Sequence, residues 1–122
     1  MRALVVDDSA VMRKIVTGAL GKMGVTDVVQ ASDGKQAVAA AMTEELDVIL
    51  LDWNMPNMSG MDALRAIRAA GNKTPVIMVT TEAERSRVIE AVRAGANNYI
   101  VKPFKPDLLA TKVQETLAKF GN

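Results

Sequence analysis

Short apolar runs rich in β-branched residues recur five times along this chain, at 3–6, 28–29, 48–51, 76–79 and 99–101, and a stretch with helical spacing follows each. Apolar on both faces, such runs suit strands of a parallel sheet that is covered on both sides. After the first run, Val11, Met12, Ile15, Val16, Ala19 and Leu20 share one helical face, with Ser9 placed to cap its start. Ala37, Val38, Ala41 and Met42 line a second helix, and Leu64 and Ile67 mark a third. Val88, Ile89 and Val92 mark a fourth, which the capping box Thr81-Glu82-Ala83-Glu84 starts at Thr81. The fifth opens on Pro106, carries Leu109, Val113, Leu117 and Phe120 along one face, and ends at Gly121. Strand and helix therefore alternate as (βα)5. Five units are too few for an eight-stranded barrel, which predicts an open, doubly wound α/β sheet in a single domain over residues 1–122.

Sheets of this kind bind ligands beyond the carboxyl ends of their strands. Asp7 and Asp8 follow the first strand, Asp52 the third, Thr80 and Thr81 the fourth, and Lys102 the fifth. Three carboxylates, two hydroxyls and one ammonium are thus expected at one edge. The chain has neither cysteine nor histidine, so thiolate or imidazole chemistry is excluded, and what remains is carboxylate, hydroxyl, lysine and backbone. Neither a Walker phosphate loop nor G-x-G-x-x-G occurs. A net charge of +1 gives no basis for nucleic-acid binding, although residues 1–61 are net acidic and residues 62–122 net basic. Asp7 and Asp8 interrupt the start too early for a signal peptide, and no apolar run is long enough for a membrane span. A cytoplasmic protein without membrane insertion is expected.

Clustered carboxylates repel and raise one another's pKa unless a cation offsets them. Mg2+ suits an all-oxygen site of this kind, retaining waters and bridging protein carboxylates to phosphoryl oxygens. Beside such an ion a carboxylate can attack phosphorus and form an acyl phosphate. Asp52 is the candidate, because it alone follows a fully apolar strand, Val48-Ile49-Leu50-Leu51. Lys102 would offset charge on the transferring group, and Thr80 would hydrogen-bond it after transfer. Singly, each residue also has a plain structural reading: a turn or cap for the aspartates, backbone satisfaction for Thr80, a surface charge for Lys102. Five such coincidences at one sheet edge are harder to accept than one site.

The segments Val5-Val6-Asp7-Asp8-Ser9, Asp52-Trp53-Asn54-Met55-Pro56-Asn57-Met58-Ser59-Gly60, Val79-Thr80-Thr81-Glu82 and Tyr99-Ile100-Val101-Lys102-Pro103-Phe104 fall in order at the ends of four strands. Together they resemble the motifs of bacterial response-regulator receiver domains, closest to the chemotaxis regulators of the CheY type, over the whole chain. The resemblance implies a flavodoxin-like, CheY-like fold with strand order 2-1-3-4-5 and a stand-alone two-component switch that acts as a monomer and is not an enzyme in the ordinary sense. It implies Asp52 as the residue phosphorylated by a histidine kinase, Mg2+ held by Asp7, Asp8, Asp52 and the main-chain carbonyl of Asn54, and Thr80 and Lys102 as phosphoryl contacts. Tyr99 matches the aromatic that turns on activation, together with Thr80. Asn54 and Glu82 match the two positions that tune self-dephosphorylation, and the Lys102–Pro103 bond is expected to be cis. Thr81 departs from the alanine usual in chemotaxis members, and its bulk is expected to slow the approach of donor or water. Output would pass through the face formed by the fourth helix, fifth strand and fifth helix to a protein target, such as a flagellar motor switch protein, with a phosphatase as a further partner.

Two other readings remain open. A phosphohydrolase of haloacid dehalogenase type also uses an aspartyl nucleophile with Mg2+, but Asn54 stands where its second aspartate belongs. A passive phosphate sink, or a receiver excised from a larger regulator, would carry the same site; the start at Met1 and the end after a full fifth helix favour a whole protein. Trp53 covers the acidic pocket or is amphipathic surface, Met55, Met58 and Met61 fill gaps, and Glu84, Arg85, Arg87, Glu90 and Arg93 form a solvated helix face.

Overall fold

Each apolar run forms a strand slightly longer than its apolar centre: β1 (Arg2–Val6), β2 (Asp27–Ala31), β3 (Val48–Asp52), β4 (Val76–Thr80) and β5 (Asn98–Val101). The computed structural model describes residues 1–121, with the backbone alone for Glu82 and Ala83. The strands pair in parallel in the order β2-β1-β3-β4-β5, as the resemblance implied. Connecting helices α1 (Ala10–Lys22), α2 (Gly34–Thr43), α3 (Gly60–Ala69), α4 (Val88–Ala94) and α5 (Pro106–Phe120) lie on both faces.

Alternation along the central strands divides the core in two. Leu4, Val6, Ile49, Leu51, Val76 and Met78 meet Ala37 and Ala41 of α2, Leu64 and Ile67 of α3 and Ala91 of α4. Val5, Leu50, Ile77, Val79 and Ile100 meet Val16 and Leu20 of α1 and Leu109 and Val113 of α5. Every residue of β3 and β4 is buried. Fully burying a Leu or Ile side chain is worth roughly 1.5–3 kcal/mol, so these two strands fix the register of the sheet.

The helix starts follow their sequence signals. The hydroxyl of Ser9 accepts the Met12 N–H at 3.2 Å, that of Ser59 accepts the Asp62 N–H at 3.1 Å, and the Asp33 carboxylate accepts the Gln36 N–H at 2.8 Å. Pro106 sits in the first turn of α5, and Gly121 ends it. Among the described residues no helix is long and apolar enough to cross a membrane.

Three helical expectations need correction. The capping box at Thr81 opens a 3-10 turn, Glu82–Arg87, and α4 proper starts only at Val88. Val11 and Ile15 of α1, Met42 of α2, Phe120 of α5 and both Ile89 and Val92 of α4 are exposed, Ile89 by 67%. On α4 it is Ala91 that faces the core, because a small side chain lets this short helix approach α3. Glu84, expected on a solvated face, is instead 8% exposed.

Candidate functional site

The register places the chemistry at one edge. In the ladders Asp52 lies beside Val79 and Thr80 beside Val101, so residues 7, 8, 52, 80 and 102 all fall at or just beyond the carboxyl ends of adjacent strands. Asp7, Asp8 and Asp52 each bring a carboxylate oxygen within 4.8 Å of the others.

Lys102 lies between two of these acids. Its Nζ donates to Asp7 Oδ2 at 3.0 Å and to Asp52 Oδ1 at 2.9 Å. Burial pulls the ammonium down, but the hydrogen bonds and charges of Asp52 and Asp7 outweigh it and leave Lys102 above its usual pKa. For Asp52 the balance falls the other way. Burial pushes its pKa to about 6, the hydrogen bond and charge of Lys102 oppose that rise, and the charge of Asp7 adds to it. The Trp53 N–H also donates to Asp52 Oδ1 at 3.0 Å. Both bonds use Oδ1, and among the described residues Oδ2 accepts none.

Asp7 is fixed more firmly. Its Oδ1 accepts the Ser9 N–H at 2.9 Å, and its main-chain carbonyl accepts the Arg13 guanidinium at 2.7 Å. Asp8 is exposed. Thr80 is fully buried, and among the described residues its Oγ1 has no hydrogen-bond partner. Leaving a buried hydroxyl unsatisfied costs about 1–3 kcal/mol, so the site is built for a partner that supplies an acceptor or donor there.

Tight packing under the loop after β3 holds Asp52 in place. A Cβ on Gly60 would lie 2.1 Å from the Asp52 carbonyl oxygen, so α3 starts this close to the strand only because residue 60 is glycine. Asn57 takes φ of 67° and donates from Nδ2 to Asp33 at 2.8 Å, which pins the far end of the loop to α2. Trp53 is 2% exposed with the Arg87 guanidinium 5.1 Å over its ring, so it belongs to the core rather than to amphipathic surface.

The remaining expected residues are less concentrated. Tyr99 lies beside Met78 in the ladder, two residues before Thr80, so by alternation it shares Thr80's face of the sheet. Lys112 Nζ lies 5.1 Å over its ring. Asn54 is exposed and donates from Nδ2 to Glu84. Glu82 falls in the 3-10 turn, and its side chain lies outside the described residues. The Lys102–Pro103 peptide is cis. Sequence reasoning missed Arg13 and Glu84. Arg13 gave no signal beyond one more helical charge, whereas Glu84 was visible as the acidic end of the capping box.

The donor set suits a hard divalent cation. All its side-chain donors are carboxylate oxygens, and oxygens bound at about 2.1 Å to an octahedral ion lie roughly 3–4 Å apart, a spacing the cluster accommodates. An open parallel sheet whose strand ends gather three aspartates, a threonine and a lysine defines a class of phosphoryl-accepting signalling domains. Residues 3–114 match the response regulator receiver domain, and the chain belongs to that family. Chemotaxis regulators are among its relatives: the chemotaxis protein CheY of Pseudomonas aeruginosa is 43% identical over 117 residues, covering 94% of each chain. The chemotaxis response regulator CheY4 of Vibrio cholerae is similar in structure, with TM-score 0.88 and 37% identity over 95% of this chain and 98% of that one. The receiver domain of a Pseudomonas aeruginosa sensor histidine kinase has TM-score 0.86 and 33% identity over 96% of this chain and 97% of its own, and that structure has a magnesium ion coordinated in the active site cleft.

Proposed function

We propose that residues 1–122 form a stand-alone chemotaxis-type response regulator that takes a phosphoryl group from a histidine kinase onto Asp52. The reading rests on one observation above all: Lys102 bridges Asp7 and Asp52 beside the orphaned hydroxyl of Thr80. With a pKa of about 6, Asp52 is mostly an anion at neutral pH. Oδ2, the oxygen free of hydrogen bonds, attacks phosphorus while the bond from phosphorus to the donor imidazole nitrogen breaks, and the imidazole leaves with the electron pair. Asp7, Asp8, Asp52 and the Asn54 carbonyl would hold Mg2+, which when bound screens the charge of the incoming phosphoryl oxygens. Lys102 exchanges a carboxylate partner for a phosphoryl oxygen, and Thr80 gains the acceptor it lacks.

Drawing Thr80 toward the phosphoryl group frees volume on the face it shares with Tyr99, and Tyr99 turns into that volume. This reshapes the surface of α4, β5 and α5, where Ile89 and Val92 stand exposed. A protein target docks there; a flagellar motor switch protein fits a chemotaxis regulator, and a phosphatase would reset the signal. Such a regulator works in the cytoplasm as a monomer.

Acetyl phosphate with and without Mg2+, followed by Trp53 emission and intact mass, tests the reading. One phosphoryl group gained only with Mg2+, and lost in Asp52→Asn, is the expected result. Absence of any adduct overturns it, and steady release of phosphate without an adduct favours the phosphohydrolase instead. An adduct that leaves hydrogen exchange across residues 88–113 unchanged would mark a passive phosphate sink instead.

A further inference from the structure

Glu84 is a buried carboxylate that its position does not require. Its helix-starting role uses only Oε1, which accepts the Thr81 N–H at 2.9 Å and the Thr81 hydroxyl at 2.9 Å. Oε2 reaches across 30 residues of sequence to accept Nδ2 of Asn54. Among the described residues all three of these hydrogen bonds come from neutral donors. A carboxylate 8% exposed is costly to hold, so these bonds account for its place.

The two segments joined in this way flank the same site. Asn54 stands two residues after Asp52, and Thr81 directly follows Thr80. The far end of the Asn54 loop is already pinned by Asp33 through Asn57, and Trp53 is covered by Arg87 of the same 3-10 turn. An ionised carboxylate can only accept, so it also fixes the amide of Asn54 with its nitrogen toward Glu84.

We infer that Glu84 is a positioning residue: by clasping Asn54 to Thr81 it closes the α3–α4 side of the Asp52 pocket and limits how fast small phosphodonors and water reach the phosphoryl site. The inference rests on the receiver reading and assigns to Glu84, through Asn54, a control that the motif resemblance gave to Asn54 and Glu82. In self-dephosphorylation a water oxygen attacks phosphorus, the bond from phosphorus to the Asp52 oxygen breaks, and the carboxylate and inorganic phosphate are the products. Donor and water cross the same rim, so loosening the clasp speeds gain and loss together.

The test compares wild type, Glu84→Ala, Asn54→Ala, the double variant and Glu84→Gln. Glu84→Ala is expected to accelerate both uptake from acetyl phosphate and spontaneous phosphoryl loss by about 3- to 10-fold, the net scale of one ordinary hydrogen bond. The double variant should be no faster than either single one, and Glu84→Gln, whose oxygen keeps the Thr81 bonds and whose Nε2 donates to Asn54 Oδ1 once that amide turns over, should stay within about twofold of wild type. Amide NMR gives a readout independent of phosphorylation: a slowly exchanging Asn54 Nδ2 proton in wild type that is lost in Glu84→Ala. Unchanged rates in Glu84→Ala with the adduct still forming, or additive effects in the double variant, overturn the clasp alone. Failure of wild type to form an adduct overturns the receiver reading and the gate with it, whatever the Asn54 amide shows.

Discussion

Asp52 gains from Lys102 and loses from its burial, and the loss is the larger. An unfolded aspartate gives up its proton near 3.8, whereas the folded one holds it to about 6. Between those values the folded state binds more protons, so stability falls as pH rises from about 4 to 6, and the full cost persists above that. The shift corresponds to about 3 kcal/mol. In metal-free protein Asp52→Asn should therefore raise the melting temperature at pH 7, with the gain shrinking toward pH 4; melts across that range that show a constant difference would contradict the assignment. Lys102 has the opposite role, because it is the ammonium that offers one hydrogen bond to each of two buried acids. Lys102→Ala should still permit an adduct on Asp52 but abolish the change in hydrogen exchange over β5 and α5 expected of the phosphorylated wild type. An equal exchange response in the variant would remove Lys102 from the switch.

Elements positioned these residues through close packing that residue type alone hardly announces. Gly60 reads as an ordinary helix-start glycine, yet a Cβ there would strike the carbonyl of the phosphoacceptor candidate itself. Backbone cannot yield as a flexible side chain can, so Gly60→Ala should cost about 2 kcal/mol or more in denaturant unfolding and slow phosphoryl uptake. α4 teaches the complementary lesson. Val88, Ile89 and Val92 have helical spacing, but periodicity says only that a helix has an apolar stripe, not that a neighbour exists to cover it. α3 and the sheet meet Ala91 instead, and Ile89 is left in solvent. Ile89→Ser should change stability by no more than about 0.5 kcal/mol, whereas Ile67→Ala in α3 should cost about 2–5. Chemical denaturation of the two variants separates a buried stripe from an exposed one.

Across the whole molecule the acidic half supplies Asp7, Asp8 and Asp52, the basic half supplies Lys102, and the fold brings them together. Three carboxylates against one ammonium leave the site with excess negative charge, which a divalent cation bound only by the folded chain would offset. Mg2+ should therefore raise the melting temperature, by the equivalent of about 2.7 kcal/mol at one hundred times its dissociation constant. Asp8→Asn should reduce that rise and weaken the Mg2+ titration of Trp53 emission; an unchanged titration would take Asp8 out of the ligand set. Sequence alone determined the strands, the alternation, the cap at Ser9 and the edge at which Asp7, Asp8, Asp52, Thr80 and Lys102 meet, because strand ends follow from local apolar pattern and a parallel sheet carries its ends to one side. The strand order came only with the family resemblance, since no local pattern states which strand lies beside which. Tertiary structure decided what depends on distant neighbours: that Thr80 is left without a partner, that Trp53 is core, and that Glu84 turns inward to Asn54. Those outcomes depend on which atoms lie within a few ångströms across the fold, and spacing along a chain does not encode that.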